Sequence, residues 1–404
     1  MATVTTPATT VSPLDLAPRG LVFGVFCIVI VIQYVYALSF NWSPELRAPL
    51  SGALAAINVV LAGLTILLRP AAWNLMLLLS ASLMSVTLIP SHALGLGEVR
   101  GLDLDELARK LVLPLMYIWV LAYPLALPRL LLVSCATVAA LVGAAIAVTG
   151  EPVMVSGTPR LASITGALTQ MHPSAKFMTM HLILFDLFRR AGFVRPWFSW
   201  AMIALCGTIL LGYGARSDQL FVAVYYLSFA YWHYRQLIIV RIAPLYVAAI
   251  AVVASLLLLA LIPSVVNQWG SGRINHWQYR LDLLAQRDLA TLLFGGGVGS
   301  DIQWSASWWW MPEVNAHSDF LYYLTEHGVV GLVVLGLIIC ALWIRSGVEG
   351  RALLAGAVAS SSINNGYFRS PLTATFLIFA FAVALCATIH RQTNLERNRR
   401  LDCP

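Results

Sequence analysis

The sequence predicts an all-α polytopic membrane protein of about twelve transmembrane helices with one long outer segment containing amphipathic helices. Three observations predict it. Of 404 residues, 59% are hydrophobic and 11% charged, with a mean hydropathy of +0.80, a balance hard to keep soluble. Apolar runs of about the length that crosses a hydrocarbon core recur along the chain. The basic residues, finally, fall unevenly between alternate loops.

The first span, 21–39, follows a Thr/Pro/Ala-rich, nearly uncharged head without a small-residue cleavage site, so it reads as a retained helix. Spans follow at 50–68, 71–89, 111–127, 129–149, 173–188, 197–213, 218–234 and 243–264. A polar outer segment interrupts the series, and 328–344, 350–364 and 371–389 complete it. The organisation is therefore a tail over 1–20, nine spans over 21–264, an outer subdomain over 265–327, three spans over 328–389 and a tail over 390–404. No internal repeat is visible.

Charge placement gives the orientation. With the N-terminus inside, the inner loops and tails hold 14 basic and 5 acidic residues, and the outer loops hold 11 and 13. Basic residues are retained on the cytoplasmic side, so both termini lie inside and 265–327 lies outside. The net charge of +7 is a topology signal. Dispersed arginines with only two lysines, Lys110 and Lys176, do not describe a nucleic-acid surface. Cys27, Cys135, Cys206, Cys340 and Cys386 fall within spans and Cys403 in a tail, so none is placed for an outer disulfide. No cysteine or histidine spacing suits zinc. Asp103, Asp105 and Glu106 form the nearest acidic group, on a run that reads as an amphipathic surface helix.

The chemistry-bearing residues collect in the outer loops. A helix from Arg273 to Leu289 places Ile274, Trp277, Leu281, Leu284 and Ala285 on one stripe, with Arg273, His276, Arg280 and Arg287 on the next. Arg280 and Arg287 read as contacts to lipid headgroups. Arg273, beside Ser271-Gly272 and just beyond a membrane exit at Pro263, is placed to reach a phosphate at the bilayer edge. The turn Gly295–Gly299 suits either a phosphate approached by backbone N–H groups or a plain tight turn. Trp304, Trp308, Trp309 and Trp310 form an interfacial aromatic belt or a platform for sugar rings.

His317 precedes a helix that Ser318 or Asp319 can cap. The positive end of the helix dipole disfavours imidazolium there, and a neutral imidazole can accept a proton from a hydroxyl. The same position also suits a capping or packing histidine. Arg216 lies between two spans with almost no loop, where a guanidinium needs an anion or Asp218 as partner. Arg160 occupies the preceding outer loop, followed by His172-Pro173-Ser174 and Lys176. Three arginines approaching one outer cavity suit a pyrophosphate, whose oxygens accept planar, bidentate hydrogen bonds.

These pieces together resemble the O-antigen ligase and O-antigen polymerase superfamily of bacterial envelope glycosyltransferases. The resemblance rests on Pro159-Arg160-Leu161 through Ser174, Gly214-Ala215-Arg216-Ser217, Ser271-Gly272-Arg273 with Trp277, Phe294 through Gly299, and His317 through Gly331. It covers roughly 155–335 by order, spacing and sidedness. Ser318 stands where the family often has Asn, and Ala215 where it often has Ser. The resemblance implies an inner-membrane transferase that moves a glycan from undecaprenyl pyrophosphate onto lipid A–core oligosaccharide at the periplasmic face. His317 would be the base, Arg216 and Arg273 would hold the pyrophosphate, and Arg160 would assist. Arg280, Lys176 and Asp319 would support the site or touch the acceptor. Direct attack would invert the anomeric centre and need neither metal nor cofactor. A polymerase would use the same donor with a second lipid-linked glycan. A flippase would instead place charge along the bilayer centre, whereas here the span interiors hold little besides Asp186.

Overall fold

The computed structural model describes residues 17–39, 44–68, 120, 122–123, 126–155, 158–164, 171–234, 273–297, 299–301, 303–304, 313–314, 317–364, 366–368 and 371–401. Its helices are α1 (Ala17–Ser39), α2 (Arg47–Leu68), α3 (Arg129–Thr149), α4 (Met171–Arg190), α5 (Pro196–Tyr213), α6 (Arg216–Tyr234), α7 (Arg273–Ala285), α8 (Leu289–Phe294), α9 (Asp319–Arg345), α10 (Val348–Ile363) and α11 (Pro371–Leu401). Nine of the twelve expected spans fall on these helices. The span 71–89, most of 111–127, and 243–264 lie outside the described residues, as do Asp103, Asp105 and Glu106. Among the described residues, five helices are long and apolar enough to cross a membrane: Gly20–Leu38, Arg129–Thr149, Pro196–Tyr213, Asp319–Ile344 and Thr373–Thr393.

The described residues are mostly helical, as expected, with two small antiparallel pairs beside the helices. β1 (Val153–Val155) pairs with β2 (Thr158–Arg160), with Val153 opposite Arg160. β3 (Gln303–Trp304) pairs with β4 (Glu313–Val314).

α4 and α11 run through the middle of the bundle. Every residue of α4 from Ser174 to Phe188 is buried, and Phe177 and His181 pack against Phe376 of α11. Enclosure by protein lets α4 carry Lys176, Thr179, His181 and Asp186, which a lipid-facing helix could not. Asp186, the charge expected inside a span, is neutralised by the last turn of its own helix. Arg189 Nη2 lies 2.5 Å and Arg190 Nε 2.7 Å from its carboxylate, and Tyr225 donates to it at 2.9 Å.

Contacts sort the loops onto two ends. One end collects Arg129 over Phe193, Arg189 over Trp200, Arg351 over Trp232, and an ion pair between Arg391 and Glu349. These arginines are the ones expected on the inner side. The other end collects the starts of α4, α6 and α9 and the loop from α10 to α11. Tyr213 donates to the Ala162 carbonyl there at 2.5 Å, and Asn364 to Ser217 at 2.7 Å. Gly356 lies against Phe221, so α10 closes tightly onto α6 and carries its exit loop to that end.

Candidate functional site

The start of α9 is built by three consecutive residues. Ser318 is the N-cap and accepts from the Leu321 N–H. His317, half-buried, precedes it with φ of 48°, a left-handed backbone uncommon for a residue with a side chain. Asp319, fully buried in the first turn, accepts from the backbone N–H groups of Gly366, Tyr367 and Phe368 at 2.7, 3.1 and 3.0 Å, and from Ser361 Oγ at 2.8 Å. The carboxylate thus takes its place at the positive end of the helix while binding a separate loop. Of the two expected caps, Ser318 fills the role, and Asp319 is freed to reach across.

α6 starts from a similar corner. α5 ends at Gly214, whose left-handed φ of 63° closes the helix. The Arg160 guanidinium lies against it: a Cβ at Gly214 would sit 2.6 Å from Arg160 Nη1. Ala215 is buried, Arg216 is exposed as the first residue of α6, and Ser217 and Asp218 are buried behind it. Asp218 accepts from the Tyr367 hydroxyl at 2.6 Å, with Ser217 Oγ at 3.4 Å. Two guanidinium groups at the positive end of a helix concentrate positive potential, which favours an anion.

Lys176, one turn into α4 and 5% exposed, joins the same end. Its ammonium lies 5.8 Å from the Tyr367 ring centroid and beside Gly366. Burial raises the Tyr367 hydroxyl well above its ordinary pKa, and the Asp218 carboxylate adds to the shift. The structure therefore gathers Arg160, Arg216, Lys176, His317 and Asp319 at one end. Arg273 begins α7, with its side chain outside the described residues, as are Ser271, Gly272, Trp308, Trp309 and Trp310 and the Trp304 side chain.

The segment 273–301 corrects three expectations. The helix expected over Arg273–Leu289 divides: α7 ends at Ala285, and α8 begins at Leu289 with Asp288 as its N-cap, accepting from Thr291 N at 2.9 Å. α7 also buries its polar stripe. Arg280 is 2% exposed, and Leu281 is 50% exposed. Arg280 donates through Nε to His276 Nε2 at 2.8 Å, through Nη1 to Asp301 Oδ1 at 2.5 Å and through Nη2 to the Asp301 carbonyl at 2.5 Å. It is an internal tie, because a fixed ion pair with a carbonyl ligand satisfies its fork better than a fluid headgroup layer. Arg287 also turns inward, donating to the Thr325 carbonyl at 2.8 Å. Burial pulls its pKa down, and Asp301 and Asp288 oppose that.

Of the two readings of the Gly295–Gly299 turn, the tight turn holds. α9 breaks at Gly328 (φ 66°), which frees carbonyls of the preceding turn. Gly296 N–H donates to Thr325 O at 2.9 Å, Gly297 N–H to Glu326 O at 3.1 Å, and Gly299 N–H to Glu326 Oε1 at 2.9 Å. These donors are spent on α9 and are not aimed at a phosphate. A Cβ at Gly295 would collide with the Glu326 carbonyl, and one at Gly328 with the Leu293 carbonyl. The two glycines exist to let these backbones touch.

Tyr367, Asn364 and Ser361 were not among the residues the sequence singled out. The available signal was the polar run Ser360-Ser361-Ser362 and the turn residues Asn364-Asn365-Gly366 at the end of an apolar span. Among the described residues, no group of three His, Cys, Asp or Glu side chains is placed to hold a metal ion. No protein-family model matches this sequence, and no curated protein matches it.

Proposed function

We propose that this chain is an O-antigen ligase-like glycosyltransferase of the inner membrane. It moves a glycan from undecaprenyl pyrophosphate onto lipid A–core oligosaccharide at the periplasmic face. One observation carries the reading: the loop Gly366–Phe368 bonds Asp319, two residues after His317, and Asp218, two residues after Arg216. A candidate base and a candidate anion-binding corner are thereby held on one end of the bundle. This is what the reaction needs, because a proton must leave the acceptor while charge develops on the departing pyrophosphate.

In this mechanism His317 takes the proton of an acceptor sugar hydroxyl. The hydroxyl oxygen attacks the anomeric carbon of the donor as the bond to the pyrophosphate oxygen breaks, inverting that centre. Arg216 and Arg160, with Arg273 at the start of α7, bind the pyrophosphate and stabilise its charge as it leaves with the polyprenol. Lys176 and Asp319 support the site from behind.

The test is reconstituted transfer from undecaprenyl-pyrophosphate glycan to lipid A–core, comparing wild type with His317→Ala and Arg216→Ala. Product from wild type that both variants lose while staying folded supports the reading. Elongated lipid-linked glycan with an unmodified acceptor identifies a polymerase. Movement of donor between leaflets without product identifies a transporter. Transfer abolished by EDTA and restored by a divalent ion overturns the metal-free mechanism.

A further inference from the structure

We infer that Tyr367 is the positioning residue that sets the start of α9, with His317, against the start of α6, with Arg216; the catalytic half of this inference rests on the function proposed above. Asn364 and the loop 366–368 bind three helices. Toward α6, Asn364 Nδ2 donates to Ser217 Oγ at 2.7 Å and the Tyr367 hydroxyl donates to Asp218 Oδ1 at 2.6 Å. Toward α9, three successive N–H groups, from Gly366, Tyr367 and Phe368, donate to Asp319, and Tyr323 of α9 donates to the Phe368 carbonyl at 3.1 Å. Toward α11, Thr373 Oγ1 donates to the Gly366 carbonyl. Tyr367 carries bonds in both of the first two directions, its hydroxyl to α6 and its backbone to α9.

Burial makes these bonds consequential. Asp218, Asp319, Ser361, Asn364 and Tyr367 are all 0% exposed, so a lost partner leaves a polar group away from water. The conformation is specific as well. Gly366 holds φ of 120°, and a Cβ there would lie 2.6 Å from Lys176 Nζ, so the loop is fitted against the lysine whose ammonium lies over the Tyr367 ring. His317 meanwhile keeps its left-handed backbone. Surroundings must over-determine such a conformation for it to persist, and the Asp319 bonds two residues on supply that constraint.

Tyr367→Phe removes only the hydroxyl. In hydrogen exchange on the full-length protein in nanodiscs, it is expected to raise exchange in the amides at the starts of both α6 and α9, with α3 and α7 unchanged. Asn364→Ala, which cuts the second bond to α6, has the same two-ended effect. In the transfer assay, Tyr367→Phe lowers kcat by roughly ten- to a hundredfold, since a displacement of about 1 Å in a reacting pair is worth about that much. The loss falls on kcat more than on donor KM, because the variant loosens one helix start relative to the other while the Arg160 and Arg216 side chains stay at the same corner. Exchange that rises only within 366–368, or throughout the bundle, overturns the tie. A two-ended rise with wild-type kcat overturns the positioning role. If wild type transfers nothing, the glycosyltransferase reading fails, and the exchange pattern still decides the tie.

Discussion

Replacing Arg280 separates an internal tie from a headgroup contact. Arg280 and Asp301 are 2% and 0% exposed, and the guanidinium supplies hydrogen bonds to both the carboxylate and the carbonyl of Asp301. An exposed pair of this kind contributes under about 1 kcal/mol. Removing one partner of a buried pair costs about 3–5 kcal/mol, because the remaining charge stays desolvated. Arg280→Met keeps much of the apolar stem and removes the charge, so it should raise the opening of the 295–301 turn by roughly 150- to 4,000-fold, at about tenfold per 1.4 kcal/mol. Hydrogen exchange over 286–301, or the rate of limited proteolysis there, reads this directly. Asp301→Asn should cost less, since the amide still accepts a bond, and adding it to Arg280→Met should bring much less than additive loss. Wild-type protection of the turn in Arg280→Met, with altered lipid or acceptor binding alone, would overturn the internal tie and return Arg280 to the membrane surface.

Three further outcomes follow from the geometry. Gly295→Ala and Gly328→Ala each drive a Cβ into a facing backbone carbonyl at positive φ, so neither variant should accumulate as folded protein in detergent, while Gly336→Ala, which meets open space, stays within about 0.5 kcal/mol of wild type. His317→Asn and His317→Gly accept the left-handed backbone and should fold with wild-type melting behaviour but without transfer, whereas His317→Val adds about 1–2 kcal/mol of strain; transfer retained in His317→Asn would remove the base. Tyr367 has a folded pKa above its ordinary 10.0, so its contribution to stability is fully present below pH 10.0 and is lost as pH rises from there through the folded value. Unfolding followed from pH 7 to 11 should show this alkaline loss in wild type and a smaller one in Tyr367→Phe.

How much of this was legible depends on the range of the interaction. The spans and the helix start after His317 follow from local periodicity and capping chemistry, and α1, α3, α5, α9 and α11 stand where the apolar runs put them. The corner at Arg216 was legible too, because spans expected at 197–213 and 218–234 leave almost no room for a loop. Local periodicity points the polar face of α7 outward, because amphipathic stripes ordinarily bury their apolar side. What reversed it is Asp301, a partner 21 residues away that no pattern within the helix reveals. The glycine turn was ambiguous for the same reason. Its N–H donors suit a phosphate or a broken helix equally well, and the break at Gly328 decides between them only once the two segments are seen in contact. Tyr367 joins two helices from positions 149 and 48 residues distant, so its importance lay beyond any local signal.

For the proposed glycosyltransferase, the inward turn of Arg280 and Arg287 also changes where acceptor recognition would lie. A row of arginines over 273–287 facing the membrane surface would favour an acceptor rich in phosphate, such as lipid A–core. With Arg280 on Asp301 and Arg287 on the Thr325 carbonyl, that row no longer faces outward as a unit. Arg160 and Arg216 sit at the corner assigned to the donor, with Lys176 buried behind. Variants of Arg280 and Arg287 should therefore lower transfer through the folding of the outer segment, and by the same factor whether lipid A–core carries its phosphates or has been dephosphorylated. Parallel assays on the two acceptors check this. A loss confined to the phosphorylated acceptor would place a recognition surface on α7 after all, while an equal loss on both leaves acceptor choice to groups outside Arg280 and Arg287.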